Sequence, residues 1–152
     1  MLASHGAYTL IKHFEGLRLK SYKDVNGLWA IGYGHCSCRI GPKTVITRAQ
    51  ADRILAKDVA ILESMLNRML LREIEQHQFD ALISFAYNAG IYALKYSTLL
   101  KFVNLGGTKS AADEFLKWNR GSLPNGKKIS IGGLTRRRAI ERQYFLTGKV
   151  DF

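Results

Sequence analysis

The stretch that decides the fold is residues 14–35, FEGLRLKSYKDVNGLWAIGYGH. Gly16 follows a segment whose apolar residues have helical spacing, and glycine commonly lies just past the end of a helix. Asn26-Gly27 separates two short β-prone runs, and this dipeptide is a strong signal for a β-hairpin turn. We therefore expect a helix over about residues 7–15, followed directly by a β-hairpin.

The rest of the chain has helical patterns. Thr47-Arg48-Ala49-Gln50 is a capping-box sequence, and the apolar spacing behind it continues to Met69, which predicts one long helix of about six turns. Further helices are expected over about residues 74–88, 98–104, 110–118 and 134–147, and a glycine- and serine-rich loop is expected over 119–133.

These elements predict an α+β fold that is mostly helical and has two lobes. We expect a single domain over residues 1–152, with a small hairpin lobe at about 16–46. The helical lobe runs from about residue 70 to the C-terminus and includes the N-terminal helix, and the long helix joins the lobes. A groove between two lobes is where a ligand site is expected.

Composition indicates a folded protein with affinity for polyanions. The chain has 152 residues, of which 47% are hydrophobic and 23% are charged, and this is too apolar for a disordered chain. The net charge is +11, and nine basic residues against one acidic residue lie between Lys117 and Lys149. A basic surface speeds encounter with nucleic acid, anionic lipid and bacterial cell wall alike, so that charge alone does not select a partner.

Two further features concern compartment and metal binding. The N-terminus lacks a basic segment followed by an apolar one, so we expect no secretory signal and synthesis in a cytoplasm. Cys36 and Cys38 are separated by one residue, which is a poor spacing for a disulfide and too sparse for a zinc site. We therefore expect two free thiols and no bound metal.

Two carboxylic acids stand out by their place in the pattern. Glu15 ends the first helix, and Asp24 ends the first hairpin strand. Glycoside hydrolysis uses two carboxyl groups in different environments, one protonated and one ionised. An acid at a helix end and an acid on the adjacent hairpin can face one groove, although such a pair is also common without any catalytic role.

Motifs in order along nearly the whole chain resemble one enzyme family. They are Phe14-Glu15-Gly16, Tyr22-Lys23-Asp24, Ile31-Gly32-Tyr33-Gly34-His35, and the segments 78–90 and 133–141. Together they resemble the phage-type lysozymes, the endolysins of glycoside hydrolase family 24. The resemblance implies a two-lobed lysozyme-like fold. It also implies a muramidase that cuts the β-1,4 bond between N-acetylmuramic acid and N-acetylglucosamine in peptidoglycan.

The resemblance also assigns roles to single residues. Glu15 matches the general acid of the family, and Asp24 matches the carboxylate that helps to hold the attacking water. Because the family inverts the configuration of the anomeric carbon, the two carboxyl groups are expected to lie ~6.5–9.5 Å apart. Arg137 matches an arginine that lies behind the catalytic glutamate and can form an ion pair with it.

The chain departs from the family at Ala30. The family has a threonine at this position, whose hydroxyl helps to orient the water, and alanine carries no hydrogen-bonding group. Three interpretations stay open. They are reduced activity with the water held by Asp24 or another group, a catalytically impaired protein that still binds peptidoglycan, and replacement of the hydroxyl by another side chain. The nearby residues that could take over the role of the hydroxyl are Ser21, Tyr33 and His35.

Other residues are candidates for substrate binding. Tyr33, Gly34 and His35 are placed to line the groove, although Tyr33 suits the core equally well, and the Asn88 amide suits an N-acetyl group. We expect the partner to be peptidoglycan, with an anionic envelope surface as a weaker second partner. We expect the protein to be a monomer that uses no cofactor and binds no nucleic acid. A protein made in the host cytoplasm would reach the wall through a holin or a similar lesion.

Overall fold

Helix α1, His5–Glu15, has well-defined ends. Ser4 caps its N-terminus, where the Ser4 side chain accepts a backbone hydrogen bond, and Gly16 caps its C-terminus with a φ of 68° that suits glycine. The first helix therefore ends where the sequence predicts. The computed structural model describes residues 1–123 and 125–152.

A three-stranded antiparallel sheet follows α1. Its strands are β1 (Arg18–Lys23), β2 (Trp29–Gly32) and β3 (His35–Cys36), in that order across the sheet. The chain turns between β1 and β2 at Asn26-Gly27, with Gly27 at a φ of 77°. The predicted hairpin is confirmed, and the two-residue strand β3 adds to it.

Helix α2, Arg48–Met69, is the predicted long helix. The Thr47 hydroxyl accepts from the Gln50 amide, and the Gln50 side chain accepts in return from the Thr47 amide. This capping box satisfies backbone groups that have no partner within the helix. One face of α2 is buried through Ala51, Leu55, Val59 and Leu66.

The helical core is centred on α3, Gln76–Ala89. The later helices are α4 (Ile91–Lys95), α5 (Thr98–Leu105), α6 (Thr108–Phe115) and α7 (Gly132–Thr147). Residues 78–86 of α3 are all buried, because α1, α2 and α7 pack around it. All of these helices except α4 match predicted ones, and the α+β, mostly helical fold class is confirmed. No helix within the described ranges is long and apolar enough to cross a membrane.

The predicted loop at 119–133 is wrong in part. Strands β4 (Arg120–Ser122) and β5 (Lys128–Ser130) pair antiparallel there. The overlooked signal is Asn125-Gly126, which is the same dipeptide that turns the first hairpin, but here the flanking residues are poor strand formers. Pro124, which the prediction also placed in this loop, lies outside the described residues.

Asp80 on α3 anchors the start of α1. Its side chain is fully buried and accepts hydrogen bonds from the Ser4 amide at 2.8 Å and from the Ser4 hydroxyl. It also accepts from Gln76 at 3.0 Å and from the Tyr144 hydroxyl at 3.3 Å. One carboxylate therefore connects α1, α3 and α7.

We predict that Asp80→Ala lowers the free energy of unfolding by about 3 kcal/mol, because buried hydrogen bonds to a charged group are lost and their donors stay unpaired. Urea denaturation measures this change. The control is Asp113→Ala, which removes an exposed ion pair with Arg142 and is expected to cost about 0.5 kcal/mol. Equal losses in the two variants would contradict the anchoring role of Asp80.

Candidate active site

Glu15 is held from behind by an arginine of the last helix. Its side chain, at the end of α1, is 21% exposed, and Oε1 accepts from Arg137 Nη1 at 2.5 Å. The Arg137 side chain is only 4% exposed, and its guanidinium lies 5.1 Å from the centre of the Phe14 ring. The carboxylate is thus fixed by a buried cation and still reaches the surface.

Arg137 belongs to a buried network of charges. Its Nε donates to Glu141 at 3.0 Å, and Nη2 donates to the Ser84 carbonyl at 3.2 Å. The Ser84 hydroxyl donates to Glu141 at 2.7 Å, and Arg138 lies beside the same carboxylate at 3.1 Å. Burial raises the pKa of Glu141, and the two arginines act in the opposite direction. Burial lowers the pKa of Arg138 to about 10.

Asp24 is positioned by the hairpin turn itself. Its Oδ1 accepts hydrogen bonds from the amides of Asn26 at 2.8 Å and Leu28 at 2.9 Å. Its Oδ2 lies 3.6 Å from Cys36 Sγ on β3. Because the turn amides use only one oxygen, the second oxygen is presented toward β3.

Gly34 lies close to Glu15 and to Cys36. A Cβ placed on it would stand 3.3 Å from Glu15 Oε2, and its φ of 82° also favours glycine. The Gly34 carbonyl oxygen is 3.6 Å from Cys36 Sγ, and that sulfur in turn contacts Asp24. Residue 34 therefore neighbours Glu15, and residue 36 neighbours Asp24.

Ala30 occupies the centre of the sheet. It pairs with Tyr22 on β1 and with Cys36 on β3, and only 1% of it is exposed. Directly paired residues in a sheet place their side chains on the same face. The methyl group of Ala30 is thus flanked by a phenol on one side and a thiol on the other.

His35 lies in a cavity that Cys36 also borders. Its Nδ1 is 2.7 Å from Asp58 Oδ2 on α2, so the ring is held by a carboxylate. The cavity has a volume of about 300 Å³, and its lining includes Gly34, His35, Cys36, Asp58 and Tyr87. Burial, and then the charge of Asp58, raises the pKa of Tyr87.

The prediction that Tyr33 lines the groove needs correction. Tyr33 is 4% exposed, and its ring packs in the core below Lys12, whose Nζ lies 5.2 Å from the ring centre. Its carbonyl oxygen accepts from the Tyr87 hydroxyl at 2.7 Å. The side chain therefore has a packing role and is not available to a ligand in the groove.

Asn88 and Arg138 form a pair that the sequence did not indicate. Asn88 is exposed at the end of α3, and its Oδ1 accepts from Arg138 Nη2 at 2.7 Å. The Asn88 side chain also borders a separate cavity of about 720 Å³, near Trp118 and Lys128. Arg138 is fully buried, although it lies in the basic stretch of the chain between Lys117 and Lys149.

Sequence reasoning missed several residues of the site. Glu141 has a signal, because its spacing of four residues from Arg137 places both side chains on one face of a helix. Nothing in the sequence connects Asp58 with His35. Cys36 becomes part of the site because β3 pairs with β2, and a strand of two residues has no sequence signal of its own.

Comparison with known proteins gives the family. A family model described as phage lysozyme matches residues 12–141. The endolysin of Bacillus phage B103 is 45% identical over 151 residues, which are 98% of this chain and 56% of that protein. The endolysin of Acyrthosiphon pisum secondary endosymbiont phage 1 is 40% identical over 146 residues, which are 95% of this chain and 98% of that protein.

Solved structures agree with the sequence comparison. The endolysin from Escherichia coli O157:H7 phage FAHEc1 superimposes with a TM-score of 0.93 and 34% identity, covering 100% of this chain and 98% of that one. The muramidase domain of SpmX from Asticaccaulis excentricus superimposes with a TM-score of 0.88 and 37% identity, covering 95% of this chain and 97% of that one.

A small sheet beside a helical core, with one carboxylate on each, defines an α+β protein of the lysozyme class. The chain belongs to the phage lysozyme family. It spans 56% of the length of the endolysins from Bacillus phages B103 and PZA, and nearly the full length of the endosymbiont phage endolysin.

We predict that Arg137→Ala lowers the free energy of unfolding by about 3–5 kcal/mol, because the buried Glu141 carboxylate loses one of its two arginine partners. Thermal or urea unfolding measures the loss. Arg136→Ala is the matched control, because Arg136 precedes it on the same helix and is exposed. A loss below about 1 kcal/mol for Arg137→Ala would show that the network is not needed to hold α7 in place.

Proposed function

We propose that this chain is a peptidoglycan hydrolase that cleaves the β-1,4 bond between N-acetylmuramic acid and N-acetylglucosamine with inversion. The observation that carries the proposal is the pair formed by Glu15 and Asp24. Each carboxylate has one oxygen held by the protein, by Arg137 or by turn amides. The other oxygen of Glu15 faces Gly34, and the other oxygen of Asp24 faces Cys36. Family membership supports the same reaction.

The roles of the two acids follow from their surroundings. Glu15 donates its proton to the glycosidic oxygen as the bond from that oxygen to the anomeric carbon breaks, and the bonding electrons go to the oxygen. Arg137 then stabilises the carboxylate that forms, since it lies 2.5 Å from Oε1. Asp24 holds a water whose oxygen attacks the anomeric carbon from the opposite face, and it accepts the proton of that water.

We assign substrate contacts to groups at the rim of this site. The open backbone at Gly34 allows a sugar to approach Glu15, and the His35 ring, fixed by Asp58, offers its second nitrogen to a sugar hydroxyl. Asn88 retains its amide hydrogens for an N-acetyl oxygen, because Arg138 uses only Oδ1. This reaction requires neither a metal nor a cofactor.

The proposed setting is lysis of a bacterial host from within. The protein acts as a monomer on the cell wall after release from the cytoplasm through a holin or a similar lesion. The net charge of +11 favours encounter with the anionic wall and envelope. Arg137 and Arg138 are buried, so exposed cations elsewhere must provide this attraction.

A second function is a peptidoglycan-binding protein with impaired catalysis. The observation that favours it is Ala30, which provides no hydroxyl for the attacking water. Such a protein would sediment with purified cell walls and release no reducing ends.

We predict that Glu15→Gln lowers the release of reducing ends from purified peptidoglycan by about 10²–10⁴-fold, because glutamine has no proton of suitable acidity to donate. Binding to sedimented cell walls is expected to persist. Glu73→Gln is the control, since Glu73 is exposed and distant in sequence from both acids. Equal release by both variants would refute the role of Glu15, and no release by the unchanged chain would favour the binding protein.

We predict that the newly formed reducing end is the α-anomer, because a water that attacks opposite the departing oxygen inverts a β-linkage. Proton NMR during the first minutes of hydrolysis, before mutarotation, distinguishes the anomers. Initial formation of the β-anomer would mean that a carboxylate attacks the sugar directly, and the proposed role of Asp24 would be wrong.

A further inference from the structure

The candidates that the sequence offered in place of the missing hydroxyl are occupied elsewhere. The Ser21 hydroxyl donates to the Gly41 carbonyl at 2.9 Å and accepts from the Thr44 amide at 3.1 Å. The Tyr33 ring is buried in the core. His35 is paired with Asp58 through Nδ1, and its second nitrogen is the one assigned above to a sugar hydroxyl. A replacement must therefore come from a residue that the sequence did not indicate.

Cys36 lies at the place where such a replacement is needed. It pairs across the sheet with Ala30, so its side chain lies on the same face, within about 4.5–5.5 Å of the alanine methyl. Its sulfur is 3.6 Å from Asp24 Oδ2 and 3.6 Å from the carbonyl oxygen of Gly34. The thiol thus lies beside Asp24 and beside residue 34, which the Glu15 carboxylate approaches.

The other residue that flanks Ala30 is less well placed. Tyr22 pairs with Ala30 from the opposite strand, and its ring lies under the guanidinium of Arg18, at 4.4 Å from the ring centre. Of the two flanking side chains, Cys36 is the one with a hydrogen-bond contact to Asp24.

The chemistry of the thiol suits this position. A thiol donates one weak hydrogen bond and accepts others weakly, as a hydroxyl does more strongly. Burial, and then the hydrogen bond to Asp24, raises the pKa of Cys36, so the group stays protonated at neutral pH. Cys36 is exposed, and it borders the cavity that contains Gly34 and His35, so a water molecule can reach its sulfur.

We infer that the thiol of Cys36 replaces the hydroxyl missing at Ala30 and positions the attacking water together with Asp24. The inference rests on the proposed hydrolase function. Cys36 is a positioning residue in this account, since it donates to Asp24 or accepts from the water and forms no bond to the sugar. The chain therefore carries the water-positioning group on β3 rather than on β2.

The test is steady-state hydrolysis of purified peptidoglycan by the unchanged chain and its variants. The single variants are Cys36→Ala, Cys36→Ser and Ala30→Thr, and the double variant combines Ala30→Thr with Cys36→Ala. Cys38→Ala is the matched control, because Cys38 is also an exposed free thiol, two residues further along the chain. Circular dichroism checks that each variant is folded, and the variants at Cys36 are expected to fold because this residue is exposed.

We expect Cys36→Ala to lower kcat by about 10–100-fold, because a misplaced water loses the benefit of orientation, and to change KM by less than about twofold. Cys36→Ser is expected to retain most of the rate, since a hydroxyl also donates and accepts. Ala30→Thr is expected to restore kcat in the Cys36→Ala background. Cys38→Ala should match the unchanged chain.

Each other outcome overturns the inference and separates it from the proposed function. Unchanged kcat in Cys36→Ala, with an active parent, overturns the inference alone, as does a change confined to KM. An inactive parent with an active Ala30→Thr variant shows that the thiol does not replace the hydroxyl, although the site is that of a muramidase. If neither protein is active, the proposed function fails together with the inference.

Discussion

The ion pair between Arg137 and Glu15 is the contact on which the site depends. Arg137 donates at the same time to Glu15 on α1, to the Ser84 carbonyl on α3 and to Glu141 on its own helix. A buried charge is tolerated only when its partners are in place, so these three helices must pack in one arrangement. The proposed proton donor, Glu15 at the end of α1, is therefore positioned by the protein core. Asp80 fixes the start of α1 through Ser4.

The opposite side of the site is built by local structure. Asp24 is held by amides of its own turn, and Cys36 contacts it from the short strand β3, which pairs with β2. Neighbouring strands place several side chains on one face of a small sheet. A polar group lost from one strand can thus be supplied by the next strand without any change in the core. Because this side of the site is built locally, Ala30 is compatible with an intact pair of carboxylates.

Local signals predicted much of the fold, and contacts between distant segments account for most of what was missed. Asn26-Gly27 and the capping box at Thr47 act within a few residues, and the structure confirms both. The burial of Arg138 depends on partners 50 residues away on α3, which its own surroundings in the sequence do not reveal. The contact of Cys36 with Asp24 likewise requires β3 to pair with β2. Asn125-Gly126 shows that a valid local signal is overlooked when its flanking residues disfavour strands.

The central claim is that one glycosidic bond lies between Glu15 and Asp24. The most direct measurement is a crystal structure of the Glu15→Gln variant with a peptidoglycan fragment of at least two disaccharides. We predict that the amide at position 15 lies about 2.6–3.2 Å from the oxygen that joins N-acetylmuramic acid to N-acetylglucosamine. We also predict an ordered water between Asp24, Cys36 and the anomeric carbon. A fragment that is bound without contact to Glu15 or Asp24 would contradict this mechanism.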